Sequence, residues 1–524
     1  MLRILGSAKT LCDGMTRRDM LRAGGLGVCS LGLNGRAGTR DARGADAAVK
    51  AGAAGISFGR AKRVMLLHLY GAAAQHETFD PKPEAPDEIR GIHKPIDTVV
   101  PGIQIDEHLP RIARIADRVT IVRSMSHPYN IHSVAYSHTG IDKVDIPMEL
   151  DPYDVRHWPS FGSVVEYLQQ HSEARRSGLV GVPPAGGQLP AKAGTPALGV
   201  PRNIALPFQF SSRSPQFTRG GPYGGFLGRS FNPIWTEFDG KATQVIDRWN
   251  GNQDVAVNEF HAGIEEAGRF TVSPAAQLRG EVTLDRLNSR RTLLEQLDDA
   301  RRTLDASAAT HSLDRFQNMA YSLMTSPQLR EALDIHREPR ALRDRYGMTL
   351  FGQATLCGRR LLEAGATVVS VFWDEITTAN SAWDTHFSHF ERLRDELLPG
   401  LDRALSSLIL DLEERGMLDD TLVMCLTEHG RTPKLSSTPR GAGREHWSNV
   451  YCQLFAGGGI ARGRVVGSSD KHGAFVKDDP VSPKDILCSA YHLLGIDPDQ
   501  TIPDRLGRPV RLVSEGEVVQ KLLA

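Results

Sequence analysis

Apolar runs of strand length, helical stripes between them and polar clusters where the runs end make this an α/β chain with a doubly wound sheet. The runs are Val64 to Leu69, Val119 to Val122, Thr367 to Trp373, Thr421 to Leu426 and Val450 to Phe455. They are mostly continuous rather than alternating, as in strands covered by helices on both faces. In open sheets of this kind functional groups collect at strand ends, because only there can polar side chains leave the core and converge.

Taken in order, the chain starts with Thr16, Arg17, Arg18, Asp19, Met20, Leu21 and Arg22 ahead of the weakly apolar stretch Ala23 to Leu33. Residues 1–47 read as a twin-arginine signal and linker, with a small-x-small cleavage site at Ala45, Asp46 and Ala47. The apolar stretch is too short to span a bilayer, so an anchor is not expected. The twin-arginine route moves folded proteins, which makes its export machinery a partner and the periplasm or the exterior the destination.

The first strand, Val64 to Leu69, runs into Gly71, Ala72, Ala73, Ala74, Gln75, His76 and Glu77. Helical spacing over Leu109 to Asp117 and a second strand from Val119 suggest a βαβ beginning. That strand opens into Arg123 and a cluster holding His127, His132 and Ser133. Glycine, proline and serine dominate from Gly181 to about Asp239, which reads as loop, and leucines among charges from Ala275 to Ile335 read as helices. The two make an insertion at about 181–335 within a single domain spanning 60–524.

Phe351 to Ala364 is a helix leading to the strand Thr367 to Trp373, after which come Asp384, His386 and His389. Leu398, Leu401, Leu405, Leu408 and Leu412 form the stripe of a helix that stops at Gly416. The strand Thr421 to Leu426 ends in Glu428 and His429, and Arg444 and His446 precede the strand Val450 to Phe455. Ser482 with Asp485 caps a last helix, Pro483 to Leu494.

Lys plus Arg and Asp plus Glu are both 62 in 524 residues, so the overall charge gives no reason to expect nucleic acid. No run is long and apolar enough for a stable membrane span. Cys12 and Cys29 fall in the signal, and Cys357, Cys425, Cys452 and Cys488 are dispersed without CxxC spacing, so no disulfide framework is expected.

The strand ends carry Glu77, His127, His132, Asp384, His386, Glu428, His429 and His446, enough donors for two metal ions. Carboxylates would lower the site's charge and imidazoles tune its affinity, a mixture that suits transition ions. Arg123, Arg431 or Arg444 could hold a tetrahedral anion, with Arg431 the first choice. Ser133, at the start of a helix, is the candidate nucleophile.

Ordered motifs then carry a resemblance: TFDPKP at Thr78 to Pro83, HLP at His108 to Pro110, VRSMSH at Val122 to His127, RDRYG at Arg343 to Gly347 and FGQ at Phe351 to Gln353. WDTH at Trp383 to His386, GRTPK at Gly430 to Lys434, AGGGI at Ala456 to Ile460 and YHLLGIDP at Tyr491 to Pro498 continue it. The mature chain resembles the domain of unknown function 1501 proteins, exported members of the alkaline phosphatase and sulfatase superfamily. The resemblance implies an alkaline-phosphatase-like fold: a large, mostly parallel central sheet with helices on both faces, plus the insertion. By the same likeness, Glu428 and His429 fall where an Asp-His-Gly motif supplies two ligands. His446 resembles the later ligand histidine, and Asp384 and His386 the remaining pair.

The chain departs from the family pattern at Ala72 to Ala74, where a GGPS-like turn is usual, and at Glu77, where an aspartate is usual. His429 replaces the family's usual phenylalanine. The Cys or Ser-x-Pro-x-Arg signature of formylglycine sulfatases is absent. The expected function is an exported metal-dependent hydrolase of phosphate or sulfate esters, with zinc, manganese or calcium bound and Ser133 or a metal-activated water attacking. Its partner would be an anionic ester from polysaccharide or phospholipid debris. The alternative, favoured by Ala72 to Ala74, is a noncatalytic exported binding protein that keeps the fold.

Overall fold

The computed structural model describes residues 57–141, 144–154, 156–176, 199–214, 217–249, 253–272, 326–378 and 382–524. The signal expected over 1–47 and most of the helical segment expected from Ala275 lie outside the described residues. The described chain is organised on a 9-stranded sheet. Its strands are β1 (Arg63–Leu69), β2 (Val119–Met125), β3 (Asn203–Leu206), β4 (Ile234–Asp239), β5 (Arg269–Val272), β6 (Val368–Trp373), β7 (Thr421–Leu426), β8 (Tyr451–Ala456) and β9 (Arg464–Val466). Their spatial order is β9-β2-β8-β7-β1-β6-β3-β4-β5. Only β8 and β5 run antiparallel to their neighbours; the remaining pairs are parallel. The chain therefore adopts the expected class, a large, mostly parallel sheet with helices on both faces.

Strand periodicity divides the core. Met65, Leu67 and Leu69 of β1 pack with the helices α3 (Leu350–Glu363) and α4 (Leu398–Glu414). Val64 and Leu66 point the other way, into a second cluster with α2 (Phe161–Arg176) and α5 (Pro483–Leu493). The α4 stripe Leu398, Leu401, Leu405, Leu408 and Leu412 is fully buried, so its spacing is a packing signal. Cys357, Cys425, Cys452 and Cys488 are buried and unpaired. Among the described residues no helix is long and apolar enough to cross a membrane.

α5 starts on a reciprocal cap. Ser482 Oγ accepts from the Asp485 N–H at 3.3 Å, and Asp485 Oδ2 accepts from the Ser482 N–H at 2.8 Å. Ser482→Ala leaves an N-terminal donor unsatisfied and should lower stability by about 1 kcal/mol in chemical denaturation.

Three local expectations are corrected. β1 and β2 are parallel but not neighbours, because β7 and β8, from the last quarter of the chain, lie between them. The helix expected over Leu109 to Asp117 is one turn, Pro110–Ala113, followed by a 3-10 turn, Ala116–Arg118. The segment expected as loop from Gly181 to Asp239 contains β3 and β4. β3 is four residues long and β4 mixes its apolar residues with Thr236, Glu237 and Asp239, so neither makes a run; β3 takes strand form by pairing with β6, and β4 by pairing with β3 and β5.

Candidate metal centre

β1 delivers the chain to a tight turn in which Gly71 has φ 105° and Ala72 φ 71°. Left-handed backbone suits glycine, and Gly71 has a second reason to be one: a Cβ there would lie 2.3 Å from the Asp384 nitrogen. The close approach joins three strand ends. The Trp383 N–H donates to the Tyr70 carbonyl at 2.9 Å. The Gly71 N–H donates to Glu428 Oε1 at 2.7 Å, and the Ala73 N–H to Thr427 Oγ1 at 3.1 Å.

Glu428, just past β7, is wholly buried. Its Oε1 also faces His132 Nδ1 at 2.7 Å and its Oε2 faces His68 Nε2 at 3.3 Å. On the far side of His132, Nε2 lies 3.4 Å from Asp384 Oδ1. The same oxygen is 2.9 Å from His386 Nε2 and 3.6 Å from His446 Nε2. His132, Asp384, His386 and His446 thus offer donor atoms within 4.8 Å of one another, and so do His132, Glu428 and His429. The two sets share His132. The chain folds so that six of the eight candidate ligands meet.

The charges fit a cation. Burial works against a proton on His132, but Asp384 and Glu428 outweigh it and raise the imidazole to about 9. Burial would raise Asp384, yet Arg431 and His132 hold it well below the usual carboxylate range. His132 therefore lies between two carboxylates, where an ion's charge would sit, and a metal binding there would compete with the proton they favour.

His429 is poised differently. Its Nδ1 lies 2.8 Å from the Gly430 carbonyl, which can only accept, so the proton is on Nδ1. Nε2 is left with a lone pair, buried and without a hydrogen-bond partner. An imidazole fixed by a carbonyl at one nitrogen and bare at the other is how metal-ligating histidines are held. His386 is oriented similarly, with Nδ1 2.5 Å from Glu445 Oε2.

The structure does not bring Glu77 or His127 into these sets. Glu77 accepts from Arg444 Nε at 3.0 Å and from His389 Nε2 at 3.0 Å. Burial would raise its carboxyl, but Arg444 and His389 hold it well below the ordinary value. His127 Nε2 donates to the Glu428 carbonyl at 2.7 Å while Nδ1 accepts from the Tyr129 N–H at 3.2 Å, so both nitrogens serve the backbone.

Over residues 61–523 the chain matches the family described as "Protein of unknown function (DUF1501)". It belongs to that family. Comparison with curated proteins finds no match. Among solved structures, this DUF1501 chain is similar to PsFucS1 sulfatase from Pseudoalteromonas sp., at 12% identity and TM-score 0.36, over 88% of this chain and 72% of that one. It is similar to the phosphonate monoester hydrolase SpPMH from Silicibacter pomeroyi, at 12% identity and TM-score 0.33, over 88% and 76% of the two chains. A structure of Ps i-CgsB in complex with k-i-k-neocarrahexaose matches at 11% identity and TM-score 0.33, over 83% and 72%. Likenesses this distant say nothing about substrate or mechanism.

The three arginines considered as anion holders are committed elsewhere in the DUF1501 chain. Arg431, fully buried, donates from Nε to the Ala72 carbonyl and from Nη1 to the Arg444 carbonyl, both at 3.1 Å, while Nη2 reaches the Gly71 carbonyl and Asp384. Arg444 pairs with Glu77, and Arg123 donates to the Phe79 and Gln104 carbonyls at 2.7 Å. Arg219, unnoticed in the sequence because loop surrounds it, lies over the Tyr70 ring at 5.7 Å, and that ring is 5.5 Å from His132. His68 and His138 were also missed. His138 Nε2 is 3.2 Å from His68 Nδ1, extending the polar chain behind Glu428. A histidine inside the run VMLLHL was the available signal.

Ser133 caps the helix α1 (Val134–Thr139), accepting from the Tyr136 N–H at 3.4 Å. Beside it, burial pushes the Glu149 carboxyl up to about 7, against the pull of Arg219 and Ser133. A raised carboxyl binds its proton more tightly folded than unfolded, so stability falls as pH rises from about 4.5 through about 7. Glu149→Gln should remove that slope. Urea denaturation should find the wild type losing about 2–3 kcal/mol more than the variant between pH 5 and pH 8.

Proposed function

We propose that this chain is an exported metal-dependent hydrolase of phosphate or sulfate esters with an alkaline-phosphatase-like catalytic domain over 60–524. What supports the reading is the buried, partnerless Nε2 of His429 beside His132 and Glu428, next to the set of His132, Asp384, His386 and His446. Nitrogen and carboxylate donors in this proportion fit zinc or manganese better than calcium. A divalent ion held there would polarise the ester's oxygen and lower the pKa of water. The protein's own part is to exclude bulk water, to fix the imidazoles through Glu445 and the Gly430 carbonyl, and to keep Asp384 and Glu428 ionised. Twin-arginine export and an anionic ester from polysaccharide debris complete the proposal. A binding protein without turnover is the second reading. It is favoured by Ala72 to Ala74 at the β1 turn and by the commitment of Arg123, Arg431 and Arg444 to internal partners.

The test is a panel of aryl phosphates and sulfates assayed with the metal-loaded wild type, His429→Ala and Ser133→Ala, each checked by circular dichroism. His429→Ala should lose activity and metal together. Ser133→Ala should abolish turnover with metal retained if the hydroxyl attacks, and change little if water does. A wild type that turns over nothing while binding metal leaves the binding-protein reading. Full metal content in His429→Ala overturns the centre itself.

A further inference from the structure

A second cluster lies apart from the centre. Pro95–Asp97 pairs antiparallel with Gln104–Asp106, Pro95 opposite Asp106. The Glu107 N–H donates to the Lys94 carbonyl at 2.9 Å, so the two arms stay together just past the hairpin's paired residues. That places His93 on one arm against Asp106 and His108 on the other. His93 Nδ1 is 2.8 Å from Asp106 Oδ2, and His108 Nδ1 is 2.9 Å from Asp106 Oδ1. The rings are 4.3 Å apart between centroids, tilted 44°. Asp106 is 1% exposed at its side chain, His93 6% and His108 23%.

We propose that His93, Asp106 and His108 bind a divalent transition cation of the zinc type, at a site separate from the principal centre. The three offer donor atoms within 4.8 Å of one another and belong to neither of the other sets. Donors about 2.1 Å from a tetrahedral ion lie roughly 3.4 Å apart, so separations of 2.8 Å to Asp106 Oδ2 and 2.9 Å to Asp106 Oδ1 need to open by only about 0.5 Å to admit one. Two imidazoles and a carboxylate select a transition ion over calcium or magnesium, and three protein donors leave positions for water on the side where His108 meets solvent. The backbone makes the site cheap to form. The hairpin sets the spacing, and the His108 N–H donates to Asp106 Oδ1 at 2.8 Å, holding the carboxylate. Asp106 holds His93 through Nδ1 alone, and the Nε2 of this nearly buried ring has no hydrogen-bond partner. Phe390, whose ring is 5.3 Å from that of His93, backs the site with an apolar wall.

The experiment strips the full chain with a chelator, equilibrates it with Zn2+ and measures bound zinc by mass spectrometry for the wild type, His108→Gln and His93→Gln, with folding checked by circular dichroism. Each variant should bind one equivalent fewer than the wild type, or bind that equivalent at least about tenfold more weakly. The count does not depend on the principal centre, because a wild type holding only one equivalent should lose it. His108, the more exposed ring, is the substitution least able to disturb folding. In the unaltered chain, Zn2+ should also slow modification of His108 by diethyl pyrocarbonate. Folded variants that bind as much zinc as tightly as the wild type would overturn the site, as would equal modification of His108 with and without zinc.

Discussion

Asp384→Asn should strip the principal centre of metal while leaving the sheet in place. Oδ1 of this residue is the atom that His132, His386 and His446 share, at 3.4, 2.9 and 3.6 Å, and Arg431 also reaches it. Asparagine keeps an oxygen but removes the charge, so a cation and the Arg431 guanidinium no longer find their common counter-charge. Metal affinity should fall by at least the tenfold to hundredfold that outer partners alone contribute. Stability should fall too, toward the roughly 3–5 kcal/mol typical of a buried pair with one partner removed. Elemental analysis and chemical denaturation read the two effects separately. Full metal content in a folded Asp384→Asn would sink the assignment.

Glu77→Ala should do the reverse. Arg444 is fully buried, and Glu77 is its charge partner through Nε at 3.0 Å and through Nη2. Truncating Glu77 leaves an uncompensated guanidinium in the interior and should cost about 3–5 kcal/mol. Metal bound per folded molecule should not change. Glu77→Leu with Arg444→Met removes both charges and should recover much of the loss, as apolar replacement of buried pairs often does. Loss of metal at unchanged stability in Glu77→Ala would instead make this carboxylate a ligand.

Sequence pattern alone marks out only part of this fold. β1, β6, β7 and β8 were legible because their residues are apolar on both faces, a pattern that helices on two sides impose. β3 was not, since Asn203 to Leu206 becomes a strand only by pairing with β6. At the centre, Glu77 and Glu428 look alike in sequence, each a carboxylate in the loop that follows a strand. Arg444 occupies one and His132 the other, and that difference exists only in three dimensions. His127 and His429 diverge for the same reason. The first has both ring nitrogens engaged by backbone and the second only one, and no spacing rule encodes which nitrogen a neighbour will take.

The place of β7 and β8 in the sheet bears on how the protein is made. While the ribosome is still working through the middle of the chain, β1 and β2 both exist but cannot join, because the strands that belong between them have not been synthesised. Each then carries an open edge of unpaired N–H and C=O groups, in a chain already exposing apolar strand faces, and such edges template aggregation. The contacts that close the structure are long-range ones, such as Glu428 with His132, 296 residues apart, and loops of that length close slowly. The nascent chain should therefore need a holding chaperone until its last quarter emerges, and a product truncated before Thr421 should be insoluble rather than partly folded.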